Sequence, residues 1–376
     1  LKNSLILKKF FFYLEDNSNF IKIMFMKILL VLFLMSSCFP CFAGNLFLTG
    51  NPSDVSPVTS GAICLAGGGS DDEWSAGWKY MLQKANGGDV VIIRADGSRG
   101  GYEDWIYKDS DKHDFPKVNS VRTILLKHAA DANVPSMVEP IKNAELIFFA
   151  GGDQYTYERW LKGSKLGEAI EFAMKHKRVP IGGTSAGMAI LGGIDFTAAY
   201  PGPTKKEGSE EQLVTGDDVL KDPTAKFVDL RRNFLSPPFL KKVVTETHFS
   251  QRHRQPRILG FMARAVYNGY EDLSVVSIKG IAADEGTAFC FDEKGSGKVF
   301  GKNSVFFLKG NLPIERIQPG ISLHWLGNRK AVSVYEIKGS HSSATFDVST
   351  WIGNGGKEQY WWVDGSNPAL PFYGIN

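Results

Sequence analysis

Short apolar runs that end in turn residues and alternate with longer amphipathic stretches fill the chain from Ala62 to Gly187, and they limit the fold more than any other feature. Ala62-Ile-Cys-Leu-Ala66 runs into Gly67-Gly68-Gly69, and Asp89-Val-Val-Ile-Ile-Arg94 repeats the pattern. Val121 to Leu126, Glu145 to Ala150 and Val179 to Gly182 follow. Helical periodicity fills the spaces between them, over 73–85, 133–143 and 164–177. Strands apolar along their whole length are buried on both faces, which requires a parallel sheet covered by helices, an α/β fold.

Beyond this core the stretch from Tyr200 to Pro238, rich in Pro, Gly, Lys and Asp, reads as a long excursion near the functional edge of the sheet. Lys242 to Thr245 is expected to be a strand and Arg257 to Tyr267 a helix. Lys279–Asp284, Thr287–Phe291, Lys298–Phe300 and Ser304–Leu308 read as strands joined by tight turns. The tail is β-rich and aromatic, with Trp325, Trp351, Trp361 and Trp362. The expected organisation is an upstream extension and leader over 1–43, a hydrolytic α/β domain over 55–310, and a C-terminal extension over 311–376 packed on that domain.

The formal charge of +3 sits wholly in residues 1–43, where Lys2, Lys8, Lys9, Lys22 and Lys27 stand against Glu15 and Asp16. The remainder is neutral and lacks the concentrated basic patch that a nucleic-acid binder needs. Met26-Lys27 followed by the 8 apolar residues Ile28–Met35 reads as a secretory signal peptide. The run is far shorter than the roughly 20 residues of a bilayer-spanning helix. Cleavage is expected between Ala43 and Gly44, giving a secreted or periplasmic protein. Met35-Ser-Ser-Cys38 imitates a lipoprotein site, but Met is a poor first residue for one, so lipidation at Cys38 is the weaker reading. Cys38 and Cys41 fall in the leader, and Cys64 and Cys290 each lie inside an apolar run. The expectation is two free cysteines acting as small buried residues, with no disulfide framework. No Cys/His spacing resembles a metal site.

Gly183-Thr-Ser185-Ala-Gly187 follows a strand and precedes the apolar stretch Ala186–Leu191. That is the setting of a nucleophile elbow, in which flanking glycines let strand and helix approach around a sharp turn that exposes the serine hydroxyl. A serine needs a base and a group to orient that base. His113, His128 and His176 stand in polar surroundings and His324 and His341 in the tail, whereas His248 follows the apolar strand Val243-Val244 at the ligand-binding edge of a parallel sheet. Glu285 follows the strand that starts at Lys279, Asp284 ends it, and either carboxylate can orient the imidazole. Gly152, in Gly151-Gly152-Asp153-Gln154, and Ala186 supply backbone N–H groups where an oxyanion hole would need them. The order Ser, His, acid differs from the Ser, acid, His order of α/β-hydrolases.

Four blocks carry a specific resemblance: Phe149-Ala-Gly-Gly-Asp-Gln154, Gly182-Gly-Thr-Ser-Ala-Gly187, His248-Phe-Ser-Gln-Arg252-His-Arg254-Gln-Pro-Arg257 and Asp284-Glu-Gly-Thr-Ala288. In this order they resemble the serine peptidase family that contains cyanophycinase and the aspartyl dipeptidase peptidase E. The resemblance implies a flavodoxin-like sheet akin to class I glutamine amidotransferases, with Ser185 as nucleophile, His248 as base and Glu285 as orienting acid. Gln154, Arg252, Arg254 and Arg257 match residues that line the cyanophycinase pocket, and arginine forks suit substrate carboxylates. Where that pattern has Asp-Gln before the histidine, this chain has Glu246-Thr247, and Glu246 keeps a negative charge for a substrate guanidinium. The implied activity is hydrolysis of aspartyl peptide or isopeptide bonds through an acyl-enzyme, without metal or cofactor. The expected partner is the peptide substrate, and a homodimer is left open. The rivals are an exported aspartyl or isoaspartyl dipeptidase and a catalytically inactive peptide binder.

Overall fold

Strands form where the apolar runs lie. The computed structural model describes residues 46–376 except positions 96, 236, 271 and 368–371, so the leader, its expected cleavage point and Cys38 and Cys41 lie outside the described residues. Strands β1 (Leu46–Gly50), β2 (Ala62–Ala66), β3 (Asp89–Arg94), β4 (Ser120–Leu125), β5 (Leu146–Phe149) and β6 (Ile181–Thr184) stand in the spatial order β1-β4-β3-β5-β6-β2. All neighbours from β4 to β2 are parallel, and β1 closes the outer edge antiparallel to β4. Counted from β3, the order β4-β3-β5-β6 is the 2-1-3-4 of flavodoxin-like sheets, with the switch point between β3 and β5. The next place belongs to β2, which precedes them in the chain.

Alternation along these strands divides their side chains between two cores. Ile63, Leu65, Val91, Ile93, Ile147 and Phe149 pack on one face with helices α2 (Pro135–Asn143) and α4 (Lys165–Phe172). Cys64, Ala66, Val90, Ile92 and Phe148 pack on the other with α1 (Ser75–Ala85). Helix α3 (Gln154–Leu161) starts directly after β5, with Asp153 as its cap accepting from the N–H groups of Tyr155 and Thr156. The helix expected over 164–177 is divided, because residues 173–177 adopt π geometry before Arg178 ends them in a left-handed conformation.

A second, eight-stranded sheet carries the rest of the site. In chain order its strands are β7 (Ile194–Phe196), β8 (Leu230–Arg232), β9 (Val243–Glu246) and β10 (Lys279–Ala283), then β13 (Ser304–Gly310), β14 (Val332–Lys338), β15 (Lys357–Asp364) and β16 (Phe372–Ile375). Strands β9 and β10 are parallel, and β10 pairs antiparallel with β13, β13 with β14 and β14 with β15. The tail strands thus extend the sheet that contains β9 and β10, and Trp325 and Trp361 are buried in its core with α7 (Gln255–Tyr267). The excursion is more ordered than its composition suggests. It holds a short hairpin, the helix α6 (Gly216–Lys221) and β8.

One expectation is wrong. Cys64 and Cys290 form a disulfide instead of remaining free. Strand β11 (Thr287–Asp292) pairs antiparallel with β2, and its other edge pairs with β12 (Ser296–Gly301). The β2–β11 register sets Cys290 opposite Cys64, with the Cα atoms 4.1 Å apart. The two residues are 226 positions apart, and only the sheet register reveals the pair.

Candidate active site

Ser185 follows β6 in a backbone conformation that an L-residue rarely adopts, φ 53° and ψ −116°, and opens the short helix α5 (Ala186–Ala189). Such a conformation costs on the order of 1–3 kcal/mol and persists only where the surroundings enforce it. Here the Ser185 N–H donates to the carbonyl of Ala66 on β2 at 3.0 Å. A Cβ at Gly187 would collide with the Phe149 carbonyl, and one at Gly183 with the Gly187 backbone. The two glycines therefore allow the tight turn that exposes the hydroxyl.

His248 stands two residues beyond β9, also at positive φ, 46°. Its N–H donates to the Gly67 carbonyl at 2.7 Å, and Gly68 lies so close to the imidazole that a Cβ there would strike Cε1. The ring meets the serine on one side and a carboxylate on the other. Ser185 Oγ is 2.7 Å from His248 Nε2, and His248 Nδ1 is 2.6 Å from Glu285 Oε1. Burial holds the imidazole below its ordinary value, with help from the charges of Arg252 and Arg254, while the hydrogen bond to Glu285 pulls the other way. A largely neutral imidazole between a hydroxyl and a carboxylate can accept the hydroxyl proton near pH 7.

The two acids that the sequence left open have separate places. Glu285 faces His248, whereas Asp284 is buried and accepts the N–H groups of Ser250 at 2.8 Å and Ser304 at 3.1 Å. Asp284 thereby ties the loop after His248 to β13. Two polar side chains that the motif reading missed support Glu285: its N–H donates to Gln251 Oε1 at 2.9 Å, and Asn303 Nδ2 donates to its carbonyl at 2.8 Å. The Gly68 carbonyl accepts from the next residue, Gly286, at 2.8 Å. The run Gly67-Gly68-Gly69 was the one sequence signal for this scaffold.

A cavity of about 390 Å³ opens beside Ser185, lined by Gly152, Gln154, Ala186 and Phe196 and by Tyr200 and Val214 of the excursion. Gly152 adopts φ 148°, and Gln154 Nε2 reaches the Phe196 carbonyl at 3.5 Å. The whole arginine series lines the cavity as well, but its members differ. Arg257 is buried, and its Nε and Nη2 grip Glu246 at 2.7 and 2.6 Å while Nη1 donates to the Val214 carbonyl at 3.1 Å. Arg254 donates through Nη1 to Glu246 and to the Thr247 carbonyl, and burial next to Arg257 lowers its pKa to about 9. Burial works against ionisation of Glu246, but these two guanidinium groups overcome it and hold the carboxyl below its ordinary value. The Glu246 charge is thus met from within the protein. Arg252 is half exposed, with Nε 3.9 Å from Glu285 Oε1. The lining thus carries three guanidinium groups and the carboxylates of Asp153, Glu211 and Glu246; Arg254 and Arg257 share Glu246, and Arg252 is the arginine left most open to a ligand.

No family model matches the chain. Among curated proteins it is similar to the cyanophycinase of Geminocystis herdmanii, 27% identical over 172 residues that cover 46% of this chain and 52% of that protein. It is also similar to the cyanophycinase of Synechococcus elongatus, 25% identical over 188 residues, 50% of this chain and 49% of the other. The chain therefore spans about half the length of the curated relatives it matches. Among solved structures, a peptidase from an acI-B1 Actinobacterium superposes with a TM-score of 0.46 at 18% identity, covering 70% of this chain and 97% of that one.

Proposed function

On the premise that this chain is a cyanophycinase-like relative of the peptidases, we propose that it is an exported serine-type peptidase acting on aspartyl peptide or isopeptide bonds, cyanophycin or β-Asp-Arg-like substrates among them. The observation that carries the reading is the unbroken contact from Ser185 Oγ through His248 to Glu285, 2.7 and 2.6 Å. In the proposed reaction Ser185 Oγ attacks the amide carbonyl carbon while His248 Nε2 takes the hydroxyl proton. Backbone N–H groups of Gly152 and Ala186 receive the oxyanion. The tetrahedral adduct collapses to an ester on Ser185 as His248 gives its proton to the leaving amine. Water, deprotonated by the same imidazole, then releases the acid and restores the serine. Glu285 keeps the ring oriented and balances its charge throughout.

The half-exposed Arg252 on the cavity lining, whose guanidinium is not consumed by Glu246, supports a substrate that carries a carboxylate. Export is supported by the leader pattern and by the Cys64–Cys290 disulfide, since such bonds persist in oxidising compartments. No helix among the described residues is long and apolar enough to cross a membrane. The test is hydrolysis of cyanophycin, β-Asp-Arg and Asp-X dipeptides by the purified chain and by Ser185→Ala. Turnover of at least one aspartyl substrate is expected, with loss of several powers of ten in the variant. Retention of more than about a tenth of the activity would overturn the assignment of the nucleophile.

A further inference from the structure

The loop after β2 does more than hold the triad. Gly67 and Gly68 contact His248 and Glu73 abuts Gly286, so Asp71 lies on a short segment fixed at both ends to the triad loops. Asp71 is three positions beyond Gly68, a reach of at most about 11 Å. Asp71 lines a cavity of about 320 Å³ with Asp72, Arg94, Gly100, Tyr102 and Trp105. This cavity shares no lining residue with the one beside the arginine series. Arg94 ends β3, next to β5, so it stands at the carboxyl edge of the switch point, where flavodoxin-like sheets receive their ligands.

The two acids in this cavity already have partners. Asp71 accepts from Tyr102 Oη at 2.6 Å and from Trp74 Nε1 at 3.0 Å, and Asp72 accepts from Trp105 Nε1 at 2.7 Å. Arg94 differs from them. Its charge favours the Asp71 carboxylate nearby, but its Nε is buried without a hydrogen-bond partner, and no ion pair at salt-bridge distance engages it among the described residues. In the loop that follows, Gly100 packs directly on Nη1, where a Cβ would collide with it. A half-buried guanidinium with a donor left unsatisfied, opening on a cavity, is suited to an oxyanion from outside the protein.

We propose that Arg94, with the Gly100–Gly101 backbone, forms a second subsite that binds a carboxylate of the peptide on the leaving-group side of Ser185. The cavity holds one amino-acid residue, and Trp105 offers an apolar wall beside the fork. Arg252 and Arg254 then take the acyl side and Arg94 the other, so the enzyme reads a peptide with carboxylates flanking the scissile bond. This subsite rests on the proposed peptidase reading for its substrate, and its test needs no turnover.

The test is calorimetric titration of the Ser185→Ala chain with the dipeptide Asp-Ala and with its C-terminal amide. The free acid is expected to bind at least about tenfold more tightly, the ordinary size of a charge-assisted fork. Arg94→Gln should erase that difference while leaving the affinity for the amide as it was. Arg94→Lys, which keeps the charge and loses the fork, should retain only part of the preference and carries the test if the glutamine variant does not fold. An acid-over-amide preference that survives both substitutions overturns the proposal, as does a failure of the free acid to bind. Displacement of the peptide by inorganic phosphate at equal affinity would make the site a general anion site and overturn the peptide assignment. Loss of serine reactivity in the parent chain would count against the triad alone.

Discussion

Ser185 and His248 line one cavity together with the arginine series, yet the two groups are held by different means. Ser185 and His248 both sit at positive φ and both donate backbone N–H groups to the strand end at Ala66 and Gly67. Their geometry is fixed by the main chain and depends little on charge. The arginine series is fixed by charge itself: Glu246 binds Arg257 through two hydrogen bonds and Arg254 through a third, and Arg252 is left half exposed. Substitutions in the first region should therefore destroy chemistry with little loss of stability. Those in the second should change stability or substrate affinity according to how deeply the charge is buried.

Exchange of the two neighbouring acids is the strongest way to break that contrast. Glu285→Gln should lower kcat by about three to four powers of ten, the usual effect of disturbing the group that orients a catalytic histidine, while the melting temperature stays near that of the parent. Asp284→Asn should do the reverse, because its carboxylate accepts two buried backbone N–H groups. Steady-state kinetics beside thermal unfolding decides it, and greater loss of kcat from Asp284→Asn would mean that the orienting acid is Asp284. Next in size is Glu246→Gln, which leaves two guanidinium groups uncompensated in a buried setting. It should destabilise the fold by about 3 kcal/mol or more, read from denaturant unfolding. An unchanged midpoint would show that water reaches this pair freely.

The smallest effect is at Arg252. Its replacement by Gln should raise KM for an aspartyl peptide by roughly tenfold and leave the rate with a small neutral serine reagent nearly unchanged. It should also move the pH profile. His248 must be neutral to act as base, so kcat/KM rises with pH through its pKa, which lies below the ordinary histidine value. Removing a nearby positive charge raises that pKa, and the acid limb moves to higher pH. Arg252 is half exposed and solvent screens it, so the displacement will be modest. An acid limb that moves to lower pH would contradict the electrostatic account.

Much of this fold was legible because it rests on period and punctuation. Strands β2 and β3 have the bounds that their apolar runs give, and the others shift by a residue or two where a polar or turn residue ends the run. The turn around Ser185 was legible for the same reason, since Gly183 and Gly187 mark a close approach of backbones. Contacts made by register between distant segments were not. Nothing near Cys64 points to Cys290, and nothing near Glu285 points to Asn303. Arg257 shows the same limit in another form: its spacing from Arg252 and Arg254 suggests one carboxylate-binding series, while burial against Glu246 and Val214 gives it partners inside the protein. Reducing the disulfide offers a check on the register. It should lower stability by about 2–5 kcal/mol, and no change on reduction would mean that the bond does not form.

The most direct measurement of the central claim is labelling of the purified chain by a fluorophosphonate serine reagent, with the modified residue located by peptide mass spectrometry. The account predicts one adduct, on Ser185, that disappears in His248→Ala and falls steeply in Glu285→Gln while the fold is retained. No adduct at Ser185 on the folded chain, or labelling that persists unchanged when His248 is removed, would contradict it.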